Sequence, residues 1–256
     1  MNNSAQTNVL ITGAAHRIGR AIALDLAANG YGVAVHYNNS ENAAKELTST
    51  IIDSGGNAVA VKANLANEDE VKSIIPAVAD GLGPITLLIN NASMFENDTV
   101  DDVTRDSWDM HMDVNLRAPF VLSQEFHRQI PDGLEGNIIN ILDQRVWNLT
   151  PYFMTYTLSK SALWTLTQTL ALALAPRIRV NGIGPGPTLQ NTRQSNEDFA
   201  RQWSETPLRR KVMPDEIADT VRFIMHSPSM TGQMIALDAG QHLGWAQGSN
   251  KLPPNE

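Results

Sequence analysis

The 256-residue chain carries 19 basic and 27 acidic residues, for a formal net charge of -8, and is 42% hydrophobic. A folded monomer of this mass exposes roughly 11,000 Å² where the extended chain would expose roughly 40,000 Å², so one large core is expected and disorder is excluded. The acidic balance repels nucleic-acid backbones, and the absence of cysteine removes disulfides, thiolate catalysis and cysteine-ligated metal. The N-terminal MNNSAQTN has no secretory character, and no apolar run is long enough to cross a membrane, so a soluble cytoplasmic protein is expected.

In chain order, residues 9–12 (VLIT) read as a strand, 18–29 as a helix, 32–37 as a strand, 42–54 as a helix and 58–64 as a third strand. A helix is expected over 68–79, a strand over 85–90, one long helix over 106–129 and a strand over 137–142. A second long helix over 152–175 and a strand over 177–183 follow, then a helix over 215–226 and a last strand over 234–240. The strands are continuous apolar runs, as in parallel sheets covered on both faces, so the spacing predicts a single-domain, doubly wound α/β (Rossmann) fold over 1–256. The stretch from Gly184 to Thr206 breaks the rhythm, and residues 187–212 read as a flap over a site, with short flexible tails at both ends.

The first strand runs into TGAAHRIG. Gly13 permits a sharp turn, Gly19 permits close helix packing, and the helix start beginning at Ile18 offers N–H groups to a pyrophosphate. Arg17 stands where the dinucleotide fingerprint often has a second glycine; a cation at a helix N-terminus is electrostatically poor unless an anion faces it. The second strand ends in HYNNS, and no carboxylate among His36, Tyr37, Asn38, Asn39 and Ser40 would repel a ribose 2′-phosphate, so NADP(H) is expected over NAD. No His-rich or carboxylate-assisted ligand pattern points to a metal.

In YTLSK, Tyr156 and Lys160 are four residues apart and share a helix face. An ammonium close to a phenol favours phenolate, which general acid–base work requires. Together with the glycine turn, NNAS at 90–93, Asn115 in DVNLRAPF and RVNGIGPG at 179–186, this ordered set resembles the short-chain dehydrogenase/reductase family over about residues 9–243. The resemblance implies that Tyr156 donates a proton, that Lys160 binds the nicotinamide ribose and tunes Tyr156, and that Asn115 holds a relay water. It also implies that Asn91, Ala92, Ser93, Pro185, Gly186 and Thr188 lie along the cofactor, with Asn64 and Leu65 near the adenine. His111 and Trp203 are further candidates to line the pocket or flap.

Thirteen residues before Tyr156, where that family carries a serine, this chain has Asp143. A carboxylate opposes the oxyanion of ketone reduction but suits a substrate that gains a proton, such as a heterocyclic C=N bond. With Arg17 and Phe95, Asp143 makes the chain similar to pteridine reductases and the related dihydromonapterin reductases. That likeness implies a pterin-like substrate held by Arg17, Ser93, Phe95, Asp143 and Tyr156, with Phe95 stacking on the pterin. A basic residue near Asn39, carried by those relatives, and the aspartate that many members of the wider family have at Asn64 are lacking. The rival readings are a generic carbonyl or 3-oxoacyl-thioester reductase that tolerates Asp143, and a non-catalytic dinucleotide sensor. Apolar residues on several faces of the two long helices, Leu163, Trp164 and Leu170 among them, together with family habit, imply a homotetramer.

Overall fold

In the computed structural model, which describes residues 7–191 and 193–244, alternate strand side chains feed two cores. Along β1 (Asn8–Ile11), Val9 and Ile11 enter one core and Leu10 the other. The same alternation runs through β2 (Gly32–Tyr37) and β4 (Ile85–Asn90). That is why these strands read as unbroken apolar runs.

With β3 (Asn57–Lys62), β5 (Gly136–Ile141), β6 (Ile178–Pro185) and β7 (Met234–Leu237), they form a seven-stranded sheet in the order β3-β2-β1-β4-β5-β6-β7. Every pairing is parallel. One face is covered by α1 (Arg17–Ala28), α2 (Glu41–Asp53) and α8 (Pro214–Met225), through residues such as Ile22, Leu47 and Val221. The other is covered by α3 (Glu68–Leu82), α5 (Ala118–Gln129) and α6 (Met154–Leu174), through residues such as Ile74, Leu122 and Ala171. The strand order reverses between β1 and β4, which opens a crevice beyond their C-terminal ends.

Two elements differ from the sequence-based expectation. The single helix expected over 106–129 is α4 (Arg105–Met112), a π-helical turn at Asp113–Arg117, and then α5. The flap is not irregular throughout: β6 extends to Pro185, and Asn196–Ser204 forms α7. The expected flexible tails lie outside the described residues. Among the described residues no helix is long and apolar enough to cross a membrane.

Candidate active site

The turn after β1 is held from below. Thr12 Oγ1 accepts from the Asn91 and Ala92 amides at 2.9 and 3.0 Å, and Asn91 Nδ2 donates to the Thr12 and Gly13 carbonyls. Gly13 is left-handed at φ 62°, and its N–H donates to His36 Nδ1 at 3.1 Å. His36 Nε2 lies 3.1 Å from the Ala63 carbonyl, which can only accept, so that nitrogen carries the proton. One buried imidazole therefore ties together the ends of β1, β2 and β3. Its burial pushes the pKa down to about 4, which keeps the ring neutral and Nδ1 available to Gly13. A Cβ at Gly19 would come within 2.6 Å of both the Gly13 carbonyl and Asn91 Nδ2, so only glycine lets α1 sit this close. No side chain caps α1 at His16, so its first-turn N–H groups are open to an anion.

Across the crevice, Asp143 follows β5 and Tyr156 lies in the first turn of α6. Tyr156 Oη donates to Asp143 Oδ2 at 2.8 Å, and Asp143 Oδ1 accepts from the Arg145 amide at 2.7 Å. The Arg145 guanidinium is 3.5 Å from Asp143 Oδ2. Lys160 is buried one turn along α6, where Nζ donates to the Ile141 carbonyl at 2.8 Å and lies 5.8 Å from the centre of the Tyr156 ring. Burial lowers the ammonium pKa to about 8, against which the charge of Asp143 acts.

Phe95 stacks on Phe153 with centroids 4.7 Å apart and meets Tyr156 edge-on at 4.6 Å. Arg145 lies within 5.0 Å of the Phe153 ring centre and 5.6 Å of that of Phe95. The result is a rigid aromatic wall with a cation behind it. Opposite, two arginines hold the flap. Arg17 is left-handed at φ 56°, which costs a non-glycine residue about 1–2 kcal/mol, and it donates to the Leu189 and Gln190 carbonyls at 2.8 and 2.7 Å. Arg193 reaches back to the Glu96 carboxylate and the Phe95 carbonyl. These walls enclose a cavity of about 610 Å³, which is large enough for a dinucleotide's reactive end and a flat substrate together.

A family model described as Enoyl-(Acyl carrier protein) reductase matches residues 13–242. The chain belongs to the short-chain dehydrogenase/reductase family. The 3-oxoacyl-(acyl-carrier-protein) reductase of Synechocystis is 34% identical over 236 residues, 90% of this chain and 95% of that protein. Among solved structures, FolM alternative dihydrofolate reductase 1 from Brucella canis, complexed with NADP, is similar at 47% identity. Its TM-score is 0.90, over 96% of this chain and 98% of that one. The same enzyme from Brucella suis, also with NADP, is 50% identical at a TM-score of 0.91, over 93% and 96% of the two chains.

Against the pattern of that family, the structure brings Arg17, Ser93, Phe95, Asp143, Tyr156 and Lys160 to the walls of one cavity. Gly13, Ile18, Gly19, Asn91 and Ala92 line it too, as do Pro185, Gly186 and Thr188. Asn38 and Asn39 are exposed and Ser40 half-buried beyond β2, while exposed Asn64 and buried Leu65 follow β3; all five lie at the same sheet edge but outside the cavity. Buried His36 serves the turn from beneath, and buried Tyr37 packs in the core on the α1 side of the sheet. Asn115 does not line the cavity; its side chain accepts from the Ser93 hydroxyl and the Met94 amide and donates to Ser159 Oγ and the Met94 carbonyl, so it fastens the loop after β4. His111 and Trp203 do not line the cavity. His111 is spent on the Glu96 amide and the Ser107 carbonyl. Sequence reasoning passed over Gln144, Arg145 and Arg193; the polar pair directly after Asp143 was the available signal.

Proposed function

We propose that this enzyme is an NADPH-dependent reductase of the C=N bond of a pteridine, converting a dihydropterin to a tetrahydropterin with Tyr156 as proton donor. The observation that carries this reading is the 2.8 Å hydrogen bond from Tyr156 Oη to Asp143. A carboxylate beside the proton donor opposes a developing oxyanion and favours a nitrogen that becomes protonated. The aromatic wall at Phe95 suits a flat heterocycle, and the likeness to two FolM reductases at 47% and 50% identity supports the same substrate class.

The residues fit the cofactor. The uncapped start of α1 and the left-handed Gly13 turn would hold its pyrophosphate, with Arg17 adding charge. Asn38, Asn39 and Ser40 would face the adenosine ribose, where no carboxylate repels a 2′-phosphate, and Lys160 would hold the nicotinamide ribose. When bound, NADPH supplies the hydride. The protein's own contribution is to keep the Tyr156 proton aimed through Asp143, to stack the substrate on Phe95, and to close the flap through Arg17 and Arg193.

The second reading, a 3-oxoacyl-thioester reductase, is favoured by the Synechocystis relative. Anaerobic NADPH consumption separates the two, with a dihydropterin and an acetoacetyl thioester as parallel substrates. Turnover on the dihydropterin that falls in Asp143→Ser supports the pteridine reading. Turnover on the thioester alone overturns it, whereas indifference of pterin reduction to Asp143→Ser removes only the role given to Asp143.

A further inference from the structure

The first turn of α6 carries Tyr156 but has no cap of its own, because Phe153 stands at the N-cap position with a left-handed backbone, φ 55°, and an apolar side chain. Its amides are met from across the chain instead. Phe153 N–H donates to Asn97 Oδ1 at 3.3 Å, Met154 N–H to the Asp98 carbonyl at 3.3 Å, and Thr155 N–H to Asp98 Oδ1 at 3.0 Å. One dipeptide of the loop after β4 therefore holds the three successive amides that precede the tyrosine.

The same carboxylate reaches a third element. Asp98 Oδ2 accepts from the hydroxyls of Thr155 and of Ser107 on α4. Thr155 Oγ1 lies 2.8 Å from His111 Nδ1, and His111 Nε2 accepts from the Glu96 amide, so Nδ1 carries the proton and donates. The circuit runs from the loop to α4, to α6 and back to the loop. Asp98 is 3% exposed, and among the described residues no cationic side chain pairs with it. A buried carboxylate is costly unless donors meet both oxygens, as they do here, with the positive end of α6 adding to them. A serine or threonine at position 153 would cap the helix as well. It would not tie the helix to the loop that carries Phe95 and Glu96, and that tie is what Asp98 adds.

We propose that Asp98 is a positioning residue for proton transfer, acting through Thr155 and His111 to hold the Tyr156 hydroxyl on Asp143 and in register with Phe95. The inference rests on Tyr156 as proton donor and is independent of which substrate takes the proton. Oη stands at the end of a long side chain, so a tilt of the helix start by about 10° moves it by about 1 Å. That is enough to break the 2.8 Å bond to Asp143 and to cost up to about 10²-fold in rate.

Three variants test this. Asp98→Asn turns one acceptor arm into a donor. Thr155→Val is milder, keeping Asp98 and the side-chain shape while deleting the hydroxyl that joins Asp98 to His111, and Thr155→Ser keeps that hydroxyl. Each is assayed on the substrate that the wild type reduces, dihydropterin or acetoacetyl thioester, at a temperature where all are folded. Asp98→Asn and Thr155→Val are expected to lower kcat by about 10–100-fold and to raise its solvent deuterium isotope effect, with the NADPH dissociation constant within about twofold. Thr155→Ser should stay within about threefold of wild type. A lowered melting temperature with kcat and isotope effect unchanged would make Asp98 a merely structural cap and overturn the inference. Equal loss in Thr155→Ser and Thr155→Val overturns it as well, since the hydroxyl would then not be the agent. Undiminished turnover in Tyr156→Phe is a separate result, which removes the proton donor and this inference with it.

Discussion

Lowering the pH from 7 to 5 should lower the stability of the fold, because a single neutral imidazole ties the ends of three strands. His36 titrates near 6.5 in an unfolded chain and at about 4 in the native state, where burial disfavours the charged form. Between those values the unfolded chain binds more protons. The stability tied to neutral His36 is therefore complete above the unfolded pKa and is lost as the pH falls from 6.5 towards 4. At about 1.4 kcal/mol per pKa unit, the whole window is worth about 3 kcal/mol, of which about 2 kcal/mol falls between pH 7 and pH 5. In a domain of this size that amounts to roughly 4–8 °C in Tm. Urea titrations and thermal melts at the two pH values, on wild type and on His36→Gln, isolate the effect. The wild type is expected to lose about 2 kcal/mol more than the variant, since other titrating groups are common to both. Parallel loss in the two proteins would refute the reasoning and leave His36 an ordinary buried residue.

Tyr156→Phe removes the proposed proton donor while leaving the ring in its edge contact with Phe95. Turnover is expected to fall by about 10²–10⁴, with NADPH affinity held within about threefold, as checked by stopped-flow and equilibrium titration. Lys160 is charged below its lowered pKa of about 8 and neutral above it, so kcat/KM for NADPH should decline as the pH rises through about 8. A Lys160→Met enzyme should lack that limb. Gly19→Ala places a methyl within 2.6 Å of the Gly13 carbonyl, and a loss of about 1–3 kcal/mol in urea unfolding is expected, together with weaker NADPH binding. Full stability in that variant would show that α1 can retreat from the sheet.

Local patterns carried much of this architecture into view. Buried parallel strands show as apolar runs, and the turn from Gly13 to Gly19, the Tyr156–Lys160 pair and Asp143 each occupy a few adjacent or helically spaced residues. What stayed hidden depends on residues far apart in the chain. Arg17 finds its partners at Leu189 and Gln190, and Arg193 finds its own at Phe95 and Glu96; nothing near either arginine announces the other half. Arg145 looks like a loop cation, yet it is buried beside the distant rings of Phe95 and Phe153. His36 was legible as a strand-end residue near the cofactor, but its two hydrogen bonds depend on β2 lying between β1 and β3.

The π-helical turn at Asp113–Arg117 is a change of phase in what would otherwise be one rod. One additional residue in the ring advances every later side chain by about 100° around the axis. The α4 half can therefore aim His111 at the loop bearing Phe95, while the α5 half turns Leu122 and Phe126 onto the sheet, and neither orientation dictates the other. Asn115 sits at the slip between them, where it reaches both Met94 and Ser159. Removing one residue from this turn would put the two halves back in step, and either the catalytic loop or the core beneath it would then be left facing the wrong way.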